Sequence, residues 1–125
     1  MFTLERIDHV QLAGPKGCED EARHFFGTVL GLKEIEKPDV LKKRGGVWFQ
    51  MADQQLHIGI EDPFSPAKKA HPAFEVDRLD HCIDRLQHYQ ISYQEDDKLE
   101  GAKRIYVHDP FGNRLELLEW IVEQN

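Results

Sequence analysis

Apolar positions recur with two different periods along the chain, and the switches between periods mark out its elements. In IDHVQLAG, Val10 and Leu12 alternate with His9 and Gln11, which predicts a strand ending at Gly14-Pro15. CEDEARHFFGTVLGL changes period: Ala22, Phe25, Phe26, Val29 and Leu30 form one helical stripe, with acidic residues in the first turn and Gly31 as the stop. KEIEK predicts a short strand before Pro38. GGVWFQMA and QQLHIGIE predict two strands joined by a turn at Asp53. HPAFEV reads as another strand. DRLDHCIDRLQHY puts Leu79, Cys82, Ile83 and Leu86 on one helix face, with Asp77 as N-cap. ISYQED, AKRIYVHD and NRLELLEW are the last strands, the final two joined by the turn sequence DPFGN.

The resulting order is strand, helix, three strands, and then the same again. The chain reads as an α+β domain made of two βαβββ modules, about 1–62 and 70–125. Laid on each other, the modules match His9 with His71. FQMADQQLHI matches VHDPFGNRLEL with one extra turn residue, which sets His57 against Glu116.

Strand parity decides which side chains share a face. Leu56, Ile58 and Ile60 oppose Gln55, His57 and Gly59. Phe74 and Val76 oppose His71, Ala73 and Glu75. Ile105 and Val107 oppose Arg104, Tyr106 and His108, and Leu115 and Leu117 oppose Arg114, Glu116, Leu118 and Trp120. One face is apolar and predicts packing under the helices. The other gathers His9, His57, His71, Arg104, Tyr106 and Glu116, four of which are able to bind a metal. His24, His81 and His88 fall on helices, mostly at polar positions, and receive no role. His108 precedes a turn and reads as structural or as site rim. Arg104 reads as an exposed strand arginine, with steering of an anionic substrate as its functional alternative.

Composition narrows the partners. The 125 residues suffice for one domain with a real core. A net charge of −7 argues against nucleic acid or an anionic membrane surface. The one basic cluster, LKKRGG, is short enough to hold a small anion at most. No apolar run approaches ~18 residues, so no membrane span is expected. Met1 leads straight into patterned sequence without an apolar leader. The two cysteines, Cys18 and Cys82, make no disulfide framework, and Cys82 reads as a small buried residue. A cytoplasmic setting is the expectation, with a small molecule as partner.

Four segments in order, IDHVQL, FFGTVLGLKEIEK, HPAFEVDRLD and VHDPFGNRLELLEW, resemble the vicinal oxygen chelate superfamily over nearly the whole chain. That superfamily includes glyoxalase I, fosfomycin-resistance thiol transferases, extradiol dioxygenases and bleomycin-resistance proteins. The resemblance implies a half-barrel sheet of paired modules with helices on the outer face, and usually a homodimer. It implies a divalent metal (Fe2+, Mn2+, Ni2+ or Zn2+) held by His9, His71 and Glu116. Two imidazoles and one carboxylate leave open positions for substrate oxygens. A metal so held polarises a carbonyl or acidifies water to a pKa near ~7.

His57 departs from the glyoxalase I pattern, which has Glu there as a fourth ligand. It reads either as a ligand or as a general acid–base group, because extradiol dioxygenases carry an acid–base His in a similar place and a Tyr where Tyr106 stands. Three functions follow from the resemblance. The first is glyoxalase-like lyase or isomerase chemistry on a small oxygen-bearing substrate, with Glu116 or His57 moving the proton; Tyr106 enters the second, as a helper beside His57. The second is an Fe(II) extradiol dioxygenase, and the third a metal-free, drug-sequestering binding protein. Convergent His and Glu argue against the third, since a sequestering pocket has no need of them.

Overall fold

The alternation of His9–Gly14 builds β1, and the computed structural model, which describes residues 1–121, adds the other elements in the expected order. They divide into two units, Met1–Phe64 and Ser65–Asn125. No described helix is long and apolar enough to cross a membrane. The fold is α+β, and each unit repeats the βαβββ order.

In the first unit, β1 is followed by helix α1, Glu19–Ala22, which runs on as a π-helical segment, Arg23–Val29. The apolar stripe predicted an ordinary helix. The wider winding is visible where the Leu30 amide bonds the Phe25 carbonyl at 2.9 Å. Ala22, Phe25, Phe26 and Val29 are buried, and Phe26 packs on Phe49 with ring centroids 5.8 Å apart. Strands β2 (Lys33–Ile35), β3 (Val47–Met51) and β4 (Gln54–Ile60) complete a sheet of order β1-β4-β3-β2, in which β1 runs parallel to β4. Val47, Phe49, Leu56 and Ile58 form its buried apolar face.

The basic LKKRGG segment folds into a short 3-10 helix, Asp39–Arg44, ending at Gly45 and Gly46. Both glycines have positive φ, and a Cβ on Gly46 would collide with the Ile58 carbonyl. The Gly46 amide donates to the Glu19 carboxylate at 3.0 Å, tying this loop to the start of α1.

The second unit repeats the pattern with β5 (Ala73–Glu75), α2 (Leu79–His88), β6 (Tyr93–Asp96), β7 (Ala102–His108) and β8 (Arg114–Trp120), in sheet order β5-β8-β7-β6. Strand β5 is shorter than HPAFEV suggested, so His71 and Pro72 precede it. Leu79 and Leu86 of α2 are buried, and Cys82 and Ile83 are half-buried. Asp77 is not the N-cap of α2: the helix starts at Leu79, and the Leu79 amide donates to the Glu119 carboxylate on β8 at 2.8 Å. A long-range carboxylate has replaced the local cap.

The DPFGN turn is held by Asp109. Its carboxylate accepts from the Phe111 amide at 3.0 Å, the Asn113 amide at 2.8 Å and the Asn113 side chain at 2.8 Å. Gly112 takes the left-handed conformation that the turn needs. Burial raises the Asp109 carboxyl above its ordinary value despite these bonds. The turn sets the register of β7 on β8, and with it the position of Glu116.

Candidate metal centre

The register makes the internal repeat specific. In the first sheet, His57 lies beside Gln11 on β1 and Trp48 on β3. In the second, Glu116 lies beside Ala73 on β5 and Tyr106 on β7. Each of these first-strand partners stands two residues after a candidate ligand, His9 or His71. His57 and Glu116 are therefore equivalent positions, as are Trp48 and Tyr106.

In the first unit, His9 opens β1 with its Nδ1 3.0 Å from the Asp8 carboxylate. A carboxylate only accepts, so Nδ1 carries the proton and Nε2 keeps its lone pair in the neutral ring. His57 is buried between two rings. Trp48 stacks on it at 3.7 Å with planes 2° apart, and His9 stacks on it at 4.4 Å and 21°. The His57 Nε2 donates to the Gln55 side-chain oxygen at 2.9 Å. Burial first, and the neighbouring His9 second, hold His57 below the usual imidazole value, so its neutral form dominates at neutral pH.

In the second unit, His71 is half-buried. Its Nδ1 donates to the Lys69 carbonyl at 2.7 Å, and its Nε2 lies 3.0 Å from Oε1 of the buried Glu116. The other Glu116 oxygen accepts from Arg104 at 3.3 Å, and Arg104 also reaches Asp96 at 3.5 Å. Arg104 is thus not an exposed strand arginine. Its side chain is 17% exposed, and among the described residues its buried Nε has no hydrogen-bond partner. The strand pattern gave its face correctly, but its burial follows from two carboxylates on neighbouring strands. Tyr106 meets His71 edge-on, with ring centroids 5.5 Å apart. His24, His81, His88 and His108 are exposed.

These residues suit a divalent cation. Both candidate ligand histidines have Nδ1 held by an oxygen acceptor, which fixes the tautomer and leaves Nε2 as the ligating atom. In His71 that nitrogen faces a carboxylate oxygen at 3.0 Å, so two ligand-competent atoms lie side by side. His57 is arranged oppositely, with Nε2 committed to Gln55. Within each unit, among the described residues, no three His, Cys, Asp or Glu side chains form a metal cage. The triad named from the sequence draws His9 from one unit and His71 and Glu116 from the other. Sequence reasoning missed Trp48, Asp8 and the Lys69 carbonyl. Parity alone would have put Trp48 on the His57 face.

A family model described as the Glyoxalase/Bleomycin resistance protein/Dioxygenase superfamily matches residues 6–117. Among solved structures, the chain is similar to a glyoxalase family protein from Bacillus anthracis at 48% identity, over 96% of this chain and 98% of that one, with a TM-score of 0.93. A glyoxalase family protein from Enterococcus faecalis is 25% identical, over 92% and 98% of the two chains, with a TM-score of 0.74. The lactoylglutathione lyase of Agrobacterium tumefaciens shares the fold at 22% identity, over 93% and 94%, with a TM-score of 0.73. No curated protein matches the chain.

Proposed function

The chain belongs to the glyoxalase/bleomycin resistance protein/dioxygenase superfamily, and on that premise we propose that it is a divalent-metal-dependent enzyme moving a proton on a small substrate with two neighbouring oxygens, by glyoxalase-like lyase or isomerase chemistry. His9, His71 and Glu116 hold the metal, from one chain or from the two chains of a homodimer. The observation that carries this reading is the matched orientation of the two histidines, each with Nδ1 on an oxygen acceptor and Nε2 left for a cation. A bound divalent ion supplies a Lewis acid that fixes and polarises substrate oxygens. A metal-free sequestering pocket gives no reason for that pattern.

The protein's own groups divide the remaining work. His57 is the proton acceptor: with Nε2–H donated to Gln55, its Nδ1 keeps a lone pair, and Trp48 and His9 hold the ring plane. Arg104 holds one oxygen of Glu116, so the carboxylate presents the other beside His71. Tyr106 braces His71 edge-on and brings a phenol to the same face. That Tyr106 contact also favours a second reading, an Fe(II) extradiol dioxygenase with His57 and Tyr106 assisting.

Cobalt titration followed by visible absorption tests the metal site. The wild-type protein takes up about one Co(II) per chain, and His71→Ala and Glu116→Gln lose it, since two remaining ligands hold a metal poorly. Full retention in both variants sinks the triad. Anaerobic loading with Fe(II) followed by a catechol ring-cleavage assay separates the two chemistries.

A further inference from the structure

Charge is unevenly paired on the Glu116 face of the second sheet. Arg104 is spent, since both of its carboxylate neighbours, Asp96 and Glu116, bond to it. Arg114 is not. It is half-buried on β8, two residues before Glu116 and on the same strand face, and no carboxylate pairs with it among the described residues. Its cross-strand neighbour is His108, which is no anion. What holds it is the Tyr106 ring, with the guanidinium carbon 4.1 Å from the ring centroid. Arg104 lies 5.4 Å from the same centroid, and His71 meets it at 5.5 Å. In a chain of net charge −7, this corner sets two arginines against two carboxylates, and both carboxylates bond to Arg104, which leaves Arg114 without one.

An arginine held over the face of an aromatic ring is oriented without using its N–H groups. Its planar fork stays available for a bidentate anion such as a carboxylate or phosphonate. The Tyr106 ring is also the one that braces His71, so one ring contacts both Arg114 and the candidate ligand. We infer that Arg114, carried on Tyr106, is the specificity-determining receptor for an anionic group of the substrate, and that the substrate is a small carboxylate or phosphonate bearing two neighbouring oxygens. This rests on the metal-centred reading above for the two oxygens, and on Arg114 alone for the anion.

The test compares two isosteric probes, 3,4-dihydroxybenzoate and 3,4-dihydroxybenzamide. They share the vicinal oxygens and differ in the remote charge. Each is titrated calorimetrically into cobalt-loaded and metal-free protein. In the wild type, the benzoate binds ~10-fold or more tighter than the benzamide. Arg114→Gln brings the two within ~2-fold while leaving Co(II) uptake and benzamide affinity unchanged. Arg114→Lys keeps part of the preference, as a point charge without the fork. Equal binding of the two probes by the wild type, or a preference that survives Arg114→Gln, overturns the assignment. If the wild type takes up no cobalt yet an Arg114-dependent preference persists in the metal-free protein, the anion receptor stands and the metal reading falls.

Discussion

The imidazole of His57 lies flat on the indole of Trp48, with ring centroids 3.7 Å apart and planes within 2°. His9 closes the other side of His57, so three rings form a ladder across β3, β4 and β1. Trp48 is therefore a built-in reporter on a candidate ligand one ring away. With Trp120→Phe, Trp48 becomes the only indole, and Co(II) binding should quench its emission. Adding His9→Ala should abolish the quenching. Quenching of equal size without His9 would show that the metal binds elsewhere.

A second expectation concerns His57 itself. Its Nε2 is committed to Gln55 and its ring faces are covered, so it is oriented for proton transfer rather than ligation. His57→Gln should keep wild-type cobalt stoichiometry in absorption titrations, while turnover of an identified substrate falls by ~10²–10⁴-fold. Loss of the metal would make His57 a ligand. Unchanged metal and unchanged turnover would make it a wall of the pocket.

Much of this arrangement was legible in the sequence, for a physical reason. Strand and helix periods fix which residues share a face, so the two repeated modules and the polar faces carrying His57 in one sheet and Glu116 in the other follow from pattern alone. The DPFGN turn was equally readable, because each of its bonds is local. What escaped depends on contacts between distant segments. The cap of α2 is Glu119, forty residues after Leu79, rather than Asp77 next to it. The burial of Arg104 needs Asp96 and Glu116 on flanking strands. The acceptor for His71 Nδ1 is a backbone carbonyl, which leaves no mark in composition. The π-helical winding after Ala22 has the same apolar stripe as an ordinary helix.

Homodimerisation is a third expectation. Among the described residues, each sheet ends in strands with an unpaired edge, β1 and β2 in one and β5 and β6 in the other. The segment before β1 is exposed throughout, with Phe2, Leu4 and Ile7 among its side chains. Light scattering at micromolar concentration should give twice the chain mass, and Phe2→Ser with Leu4→Ser should lower it. A monomeric mass for the wild type would refute this.

The loop tied by Glu19 gives the fourth expectation, and its pH dependence follows from one hydrogen bond. The half-buried Glu19 carboxylate accepts the Gly46 amide at 3.0 Å, at a positive-φ glycine pair where a Cβ on Gly46 would collide with the Ile58 carbonyl. That bond, ahead of the Glu19 backbone amide, holds the Glu19 carboxyl below its ordinary value. A lowered carboxyl stabilises the fold while it is ionised. The contribution is complete above the unfolded-state value near ~4.5 and is lost as pH falls through the lower folded-state value. Glu19→Gln keeps an acceptor but no charge, and should cost about 1 kcal/mol in urea unfolding at pH 7. Glu19→Ala leaves the amide unpaired and should cost about 2 kcal/mol. The gap between wild type and Glu19→Gln should close as the pH is taken toward ~3, because the wild-type carboxyl then approaches the neutral state that the amide imitates. A gap that stays constant from pH 7 to pH ~3 would mean that the charge contributes nothing, and that glycine geometry alone holds the Asp39–Arg44 helix in place.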